Sequence, residues 1–294
     1  MTRVFQAPVA GGAGLRVVVV GAGAYPYAKG KAPRVPILSD LTSVAPGVMQ
    51  FVRRLLVDWR ESLADRLLSV ELLLSDPAQP GGAVWPGAAI DGVPLAGAAE
   101  AGLAIAAPTI PMLDAALSDA LRDATRDDTL MVLFCGHGFS SVENFFLLSD
   151  FGQSPNNPWR DVVNLSQLAT GLQQVPARKQ WLFWDCCSDI LEEALNAMGG
   201  NMGDAVVKPD AGALAAINRA YGPSSLSQFG MKSATLGAQA FGVAAKPSRF
   251  VEMLIEAIDG AGAIRPERGE WWVDDRGLVE AIKTCAVRHP DLDQ

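Results

Sequence analysis

The sequence predicts a three-layer α/β/α sandwich around a mostly parallel sheet of about six strands. Three observations carry that prediction. Short apolar runs rich in Val and Leu recur along the chain without polar alternation, as in Val17–Val20, which suits strands buried on both faces. Segments with helical apolar spacing lie between them. Apolar residues make up 49% of the 294 residues and charged ones 19%, enough to bury a sizeable core.

The elements follow in order. Arg16–Val20 is the first strand, stopped by Gly21-Ala22-Gly23, and a loop rich in Pro and basic residues runs from Tyr25 to Pro36. Val48, Phe51, Val52, Leu55 and Leu56 share one face of a helix expected over Pro46–Trp59. Ser69–Leu74 is the second strand. Residues 77–110, dominated by Gly, Ala and Pro, read as a long excursion with little regular structure, and no internal repeat is evident. Thr109 is positioned to cap a helix over Pro111–Ala124, with Pro in its first turn. Strands are expected at Leu130–Cys135, Asn144–Leu148, Gln180–Trp184 and Ser233–Leu236. Helices are expected around Leu165–Gln174, Ile190–Met198, Arg249–Ile258 and Leu278–Val287. No linker divides the chain, so residues 15–288 read as one domain, with an extension at 1–14 and a tail at 289–294.

Composition narrows the partners. A net charge of -8 offers no basic field to collect phosphates, which argues against nucleic acid. No apolar run approaches the length of a membrane helix, and Met1 to Gly14 lacks the core of a signal peptide. The four cysteines, two of them adjacent, do not form a secreted disulfide framework, so a reducing cytoplasm is expected.

Only two histidines occur. His289 lies in a polar tail between Arg288 and Pro290. His137 follows a buried strand and is flanked by Gly136 and Gly138, at the kind of strand end where parallel sheets build sites. Fifty residues later another strand ends in Asp185-Cys186-Cys187. An imidazole raises the thiolate fraction of a nearby thiol and later protonates a leaving amine. The amide of Gly138 is expected to join that of the nucleophile as an oxyanion hole. Neighbours on a strand face opposite ways, so one of Cys186 and Cys187 faces the site and the other packs.

Leu133-Phe-Cys-Gly-His-Gly-Phe139, then Phe146-Leu-Leu-Ser-Asp150 and Trp184-Asp-Cys-Cys-Ser188, resemble the caspase/metacaspase superfamily. Val17–Tyr25 resembles the first strand and Gly-x-Gly-x-Tyr turn of bacterial members, and Ser233–Gly260 their late strand and helix. Aligned on Asp185, the metacaspase motif Asp-Ser-Cys-His-Ser-Gly puts the nucleophile at Cys187 and leaves Cys186 in the Ser position. After the nucleophile, Ser188-Asp189-Ile190 departs from that motif.

The resemblance implies a cysteine endopeptidase using Cys187 and His137 on protein or peptide substrates. It implies no cofactor, and no calcium loop is evident here. It also implies that Asp185 lines the pocket for Arg or Lys before the scissile bond; the alternative is an Asp that caps nearby amides. Residues 188–230 match the region that caspases cleave or rearrange on activation, so activation by a ligand, a partner or a cut is expected, and self-association is left open. By analogy the role is that of a bacterial stress or phage-defence effector. Two other readings compete: an inactive caspase-like binding protein, and a small-ligand sensor whose pocket is formed by the Gly21–Gly30 loop and the long excursion. Zinc held by Cys135, His137, Cys186 and Cys187 matches no common ligand spacing. The Gly21-Ala-Gly23 turn lacks the third glycine of a dinucleotide fingerprint.

Overall fold

The computed structural model describes residues 2–8, 12–30, 35–79, 81–140, 143–186, 203–222, 225–233, 245–267 and 270–288. Cys187, His289, the helix expected at Ile190–Met198 and residues 234–236 of the last expected strand lie outside them.

The strands are β1 (Arg3–Gln6), β2 (Leu15–Ala22), β3 (Leu67–Ser75), β4 (Ala89–Ile90), β5 (Val93–Pro94), β6 (Thr129–Gly136), β7 (Gly138–Ser140), β8 (Asn144–Leu147), β9 (Val162–Asn164), β10 (Lys179–Cys186), β11 (Ser227–Lys232), β12 (Ala263–Glu267) and β13 (Glu270–Val273). Among the described residues the central sheet has six strands in the order β1-β3-β2-β6-β10-β11. All are parallel except β1, which runs antiparallel to β3 at the edge. The α/β class and the mostly parallel six-stranded sheet are those expected from the sequence.

The helices are α1 (Val44–Arg53), α2 (Ile110–Leu121), α3 (Leu165–Leu172), α4 (Ala211–Tyr221), α5 (Arg249–Glu256) and α6 (Asp275–Arg288). In β2, Val17 and Val19 enter one core while Val18 and Val20 enter the other, which is why the strand is apolar throughout. The first core packs α1, α5 and α6 against the sheet, and the second packs α2 and α3 on the opposite face. The three layers follow. Thr109 caps α2 as expected, its Oγ1 accepting the Met112 N–H at 3.4 Å, and Leu113, Ala116, Leu117 and Ala120 form the buried face.

Residues 3–6, assigned to an extension from the sequence, form an integral edge strand. Its anchor is Glu71 on β3, which is fully buried and takes hydrogen bonds from Thr2 and Arg3. Burial pushes the Glu71 carboxyl up, and the bonds from Arg3 and Thr2 partly offset that. Among the described residues the last strand of the sheet is β11 at Ser227–Lys232, a strand that the sequence reading did not anticipate. As a half-exposed edge interrupted by Gly230, it shows no apolar run. Helix α4, capped by Asp210, buries no side chain fully, so its sequence carries no strong apolar stripe.

The excursion contains a repeat that the sequence reading missed. Gly82, Gly87, Gly92, Gly97 and Gly102 recur every fifth residue, and each has a left-handed backbone, with φ between +80° and +106°. Trp85 and Leu95, each two residues before one of these glycines, are buried, as is Ile105. Residues 83–85 pair back on 102–105, through Trp85 N–H to Leu103 O at 2.8 Å and Ile105 N–H to Ala83 O at 2.9 Å. The excursion also covers the outer side of β1: Gln6 N–H donates to Gly97 O at 2.9 Å and Ala99 N–H to Val4 O at 2.8 Å.

Gly97 and Gly102 share φ +87°, but a Cβ on Gly97 would lie 2.1 Å from Gln6 O, whereas one on Gly102 would meet nothing within 4 Å. Gly102→Ala therefore carries backbone strain alone, about 1 kcal/mol, and Gly97→Ala adds a clash with β1, about 2–4 kcal/mol in all. Urea unfolding of the two variants gives the comparison directly; equal losses would mean that the contact with β1 is unimportant.

Candidate active site

Because β2, β6 and β10 are parallel, their carboxyl ends lie along one edge. The β6–β10 ladder ends with Gly136 opposite Cys186, and β2 flanks β6 with Gly21 opposite Cys135. His137 leaves the sheet at that point, between the Gly23–Tyr25 turn and the end of β10.

His137 is held at three atoms. Its N–H donates to Tyr25 Oη at 2.9 Å, and its carbonyl accepts the Leu147 N–H at 2.9 Å. Its ring Nε2 lies 2.9 Å from Ser39 O. A carbonyl oxygen only accepts, so Nε2 carries the proton, and in the neutral ring Nδ1 keeps its lone pair. Burial holds the imidazole below its ordinary range; the Ser39 bond and Asp40 work the other way, and Lys29 adds to the lowering. This lowering favours the neutral ring. Tyr25, fully buried, lies beside it with ring centroids 5.0 Å apart.

The loop that supplies Ser39 O is itself pinned. Asp40 Oδ1 accepts the Tyr25 N–H at 2.9 Å and pairs with Lys29 Nζ at 2.8 Å. Burial alone would raise the Asp40 carboxyl, but the bonds from Lys29 and Tyr25 outweigh it and hold it below the usual range.

The other sequence candidates are placed as follows. Cys186 is buried on the α2–α3 face of the sheet, its Sγ 2.8 Å from where a Cβ on Gly138 would stand, so the residue at 138 has to be glycine. Cys135 is buried on the opposite face, so these two thiols do not share a site. Asp185 is 6% exposed and its carboxylate accepts a hydrogen bond from Ser248 Oγ, which in turn caps α5 by accepting the Val251 N–H at 3.2 Å. Burial pushes Asp185 up to about 6, against the opposing bonds from Ser248 and Ser233. Asp150, in the quoted Phe-Leu-Leu-Ser-Asp segment, is also raised to about 6, by burial and then by the charge of Asp161. Cys187 lies outside the described residues.

The glycines of the first turn are occupied by the protein itself. A Cβ on Gly21 would lie 2.7 Å from Leu74 Cδ1, and one on Gly23 2.8 Å from Ser75 O, so both glycines are packed closely against neighbouring parts of the chain.

Several site groups were not visible in the sequence. The Ser39 carbonyl belongs to the backbone, which carries no side-chain signature. Ser248 meets Asp185 only through the fold. Lys232, at the end of β11, was also missed; its Nζ donates to Ser140 Oγ at 3.1 Å and to Asn144 Oδ1, tying the edge strand to the β7–β8 hairpin.

Compared with protein-family models and with curated proteins, the chain matches none of either. Among the described residues, no helix is long and apolar enough to cross a membrane, and no group of three or more His, Cys, Asp or Glu side chains is placed to hold a metal ion.

The raised Asp185 makes a pH prediction. Its native form prefers the proton, so its contribution to stability is complete below about pH 4 and is lost as pH rises through about 6. Asn at this position still accepts the Ser248 bond without burying a charge. Asp185→Asn is expected to be more stable than wild type by about 2 kcal/mol at pH 8 and equal to it near pH 4. Asp150 titrates in both proteins and cancels from the difference. A gap in denaturant stability that does not vary with pH would contradict the burial argument.

Proposed function

We propose that this chain is a caspase-like cysteine endopeptidase of the cytoplasm, acting on proteins or peptides. The observation that carries the reading is the Nε2–H bond of His137 to Ser39 O. It orients the imidazole with its proton on Nε2, which leaves the Nδ1 lone pair to act as the base, at the edge where β10 ends one residue before Cys187. A base oriented by a third group beside a nucleophile is the arrangement that covalent acyl transfer requires.

In the proposed cycle the Cys187 thiol passes its proton to Nδ1 of His137, and the thiolate attacks the scissile carbonyl carbon. The amides of Gly138 and Cys187 hold the oxyanion. As the tetrahedral intermediate collapses, the C–N bond breaks and the imidazolium gives its proton to the leaving amine. Water, deprotonated by His137, then attacks the thioester and releases the carboxylate product and the free thiol. The burial of Cys186 behind Gly138 speaks against Cys186 as the nucleophile and so favours Cys187.

Asp185 supports a preference for Arg or Lys before the scissile bond, since a substrate cation that reached it would stabilise its ionised form. The crowded glycines at 21 and 23 speak against a dinucleotide held by that turn. Activation by a ligand, a partner or a cut, and a role as a regulated bacterial stress or phage-defence effector, rest on the resemblance alone.

A mixed peptide library, supplied with calcium and cell lysate as activators, tests the reading. Wild type and Cys186→Ala are expected to cut after Arg or Lys, and Cys187→Ala to lose at least 1,000-fold, about the scale seen on removing a catalytic nucleophile. Full activity in Cys187→Ala would remove it from the mechanism. No cutting by any of the three would point to a caspase-like binding protein instead.

A further inference from the structure

We infer that Tyr25 is a positioning residue for His137, and that Asp40 extends the same frame to the Ser39 carbonyl. This rests on the reading of His137 as the base. Tyr25 meets both the backbone and the ring of that residue. Its Oη accepts the His137 N–H at 2.9 Å and lies 2.9 Å from Ala22 O and 3.2 Å from Leu147 O. A phenol has one hydrogen, so it donates to one of these carbonyls while accepting from His137. The hydroxyl thereby joins the end of β2, the end of β6 and the last residue of β8 at one atom.

The ring does a second job. It lies against the imidazole at 49° and limits its sideways movement. The Tyr25 backbone does a third, because its N–H donates to Asp40 Oδ1, and the preceding residue supplies the carbonyl that holds Nε2. Lys29 closes the loop on Asp40 and also donates to Leu38 O at 3.2 Å. Backbone, ring face and Nε2 of His137 are thus each referred to Tyr25, directly or through one neighbour. Proton transfer is steep in distance, so a shift of a fraction of an ångström in Nδ1 lowers the rate of the chemical step while leaving binding unchanged.

Tyr25→Phe removes only the hydroxyl and strands the His137 N–H. The expected result is a kcat about 10–100-fold lower with KM within about twofold. Imidazole nitrogen NMR supplies a readout that does not depend on activity, since His137 and His289 are the only histidines and His289→Gln assigns them. Wild type is expected to show the Nε2–H tautomer, and Tyr25→Phe a mixture of tautomers with faster exchange of the His137 amide.

Asp40→Ala, in the exposed loop, gives the same readouts should the buried variant fail to fold. Wild-type kcat in Tyr25→Phe, or a wild-type tautomer and amide exchange, overturns the inference. If wild type cuts no peptide, the protease reading fails separately, and tautomer and amide exchange alone decide the role of Tyr25.

Discussion

The parallel pairing of β6 with β10 is the constraint on which the rest of this molecule depends. Register along the whole ladder, from Lys179 opposite Thr129 to Cys186 opposite Gly136, brings two strands separated by a long stretch of sequence to a common end. Parallel strands cannot be joined by a tight turn, so the chain must return outside the sheet each time, and helices cover both faces as a consequence. What the strands carry at their carboxyl ends is then collected along one edge. On this edge stand the turn that holds Tyr25, the imidazole of His137 and the carboxyl of Asp185.

The edge is also where backbone groups leave the ladder and need other partners. His137 shows how that need is met. Its amide, its carbonyl and its ring each have a partner from a different part of the chain. The same groups that satisfy the backbone orient the ring, so stability and site geometry are not separable there. Asp185 shows the opposite balance: a carboxyl is kept in a buried position with hydroxyl partners and no cation among the described residues, at a cost that its raised pKa expresses.

The legible part of the fold was the part buried on both sides. Strands β2, β3, β6 and β10 are apolar on successive residues because two cores require it, and that run of residues is visible without a structure. The edges were not legible for the converse reason. Four residues suffice for β1, whose anchor is a single buried Glu on another strand, and β11 is half exposed and polar. The five-residue glycine spacing of the excursion was present in the sequence, but it matches neither a helical nor a strand period, so a search for those periods passes over it. At the site, the sequence singled out His137 and Gly138 by type and position, and Asp185 through the resemblance to metacaspases. The Ser39 carbonyl and the Ser248 hydroxyl act only through contacts that folding creates.

Thiol reactivity is the first test of the proposed pairing of His137 with Cys187. Iodoacetamide labelling against pH, mapped by peptide mass, reads each cysteine separately in wild type and in His137→Ala. The account predicts that Cys187 reacts first, with an apparent pKa below the ordinary value of about 8.5, and that the His137→Ala change returns it towards that value. A Cys187 that titrates at the ordinary value in both proteins would contradict the pairing.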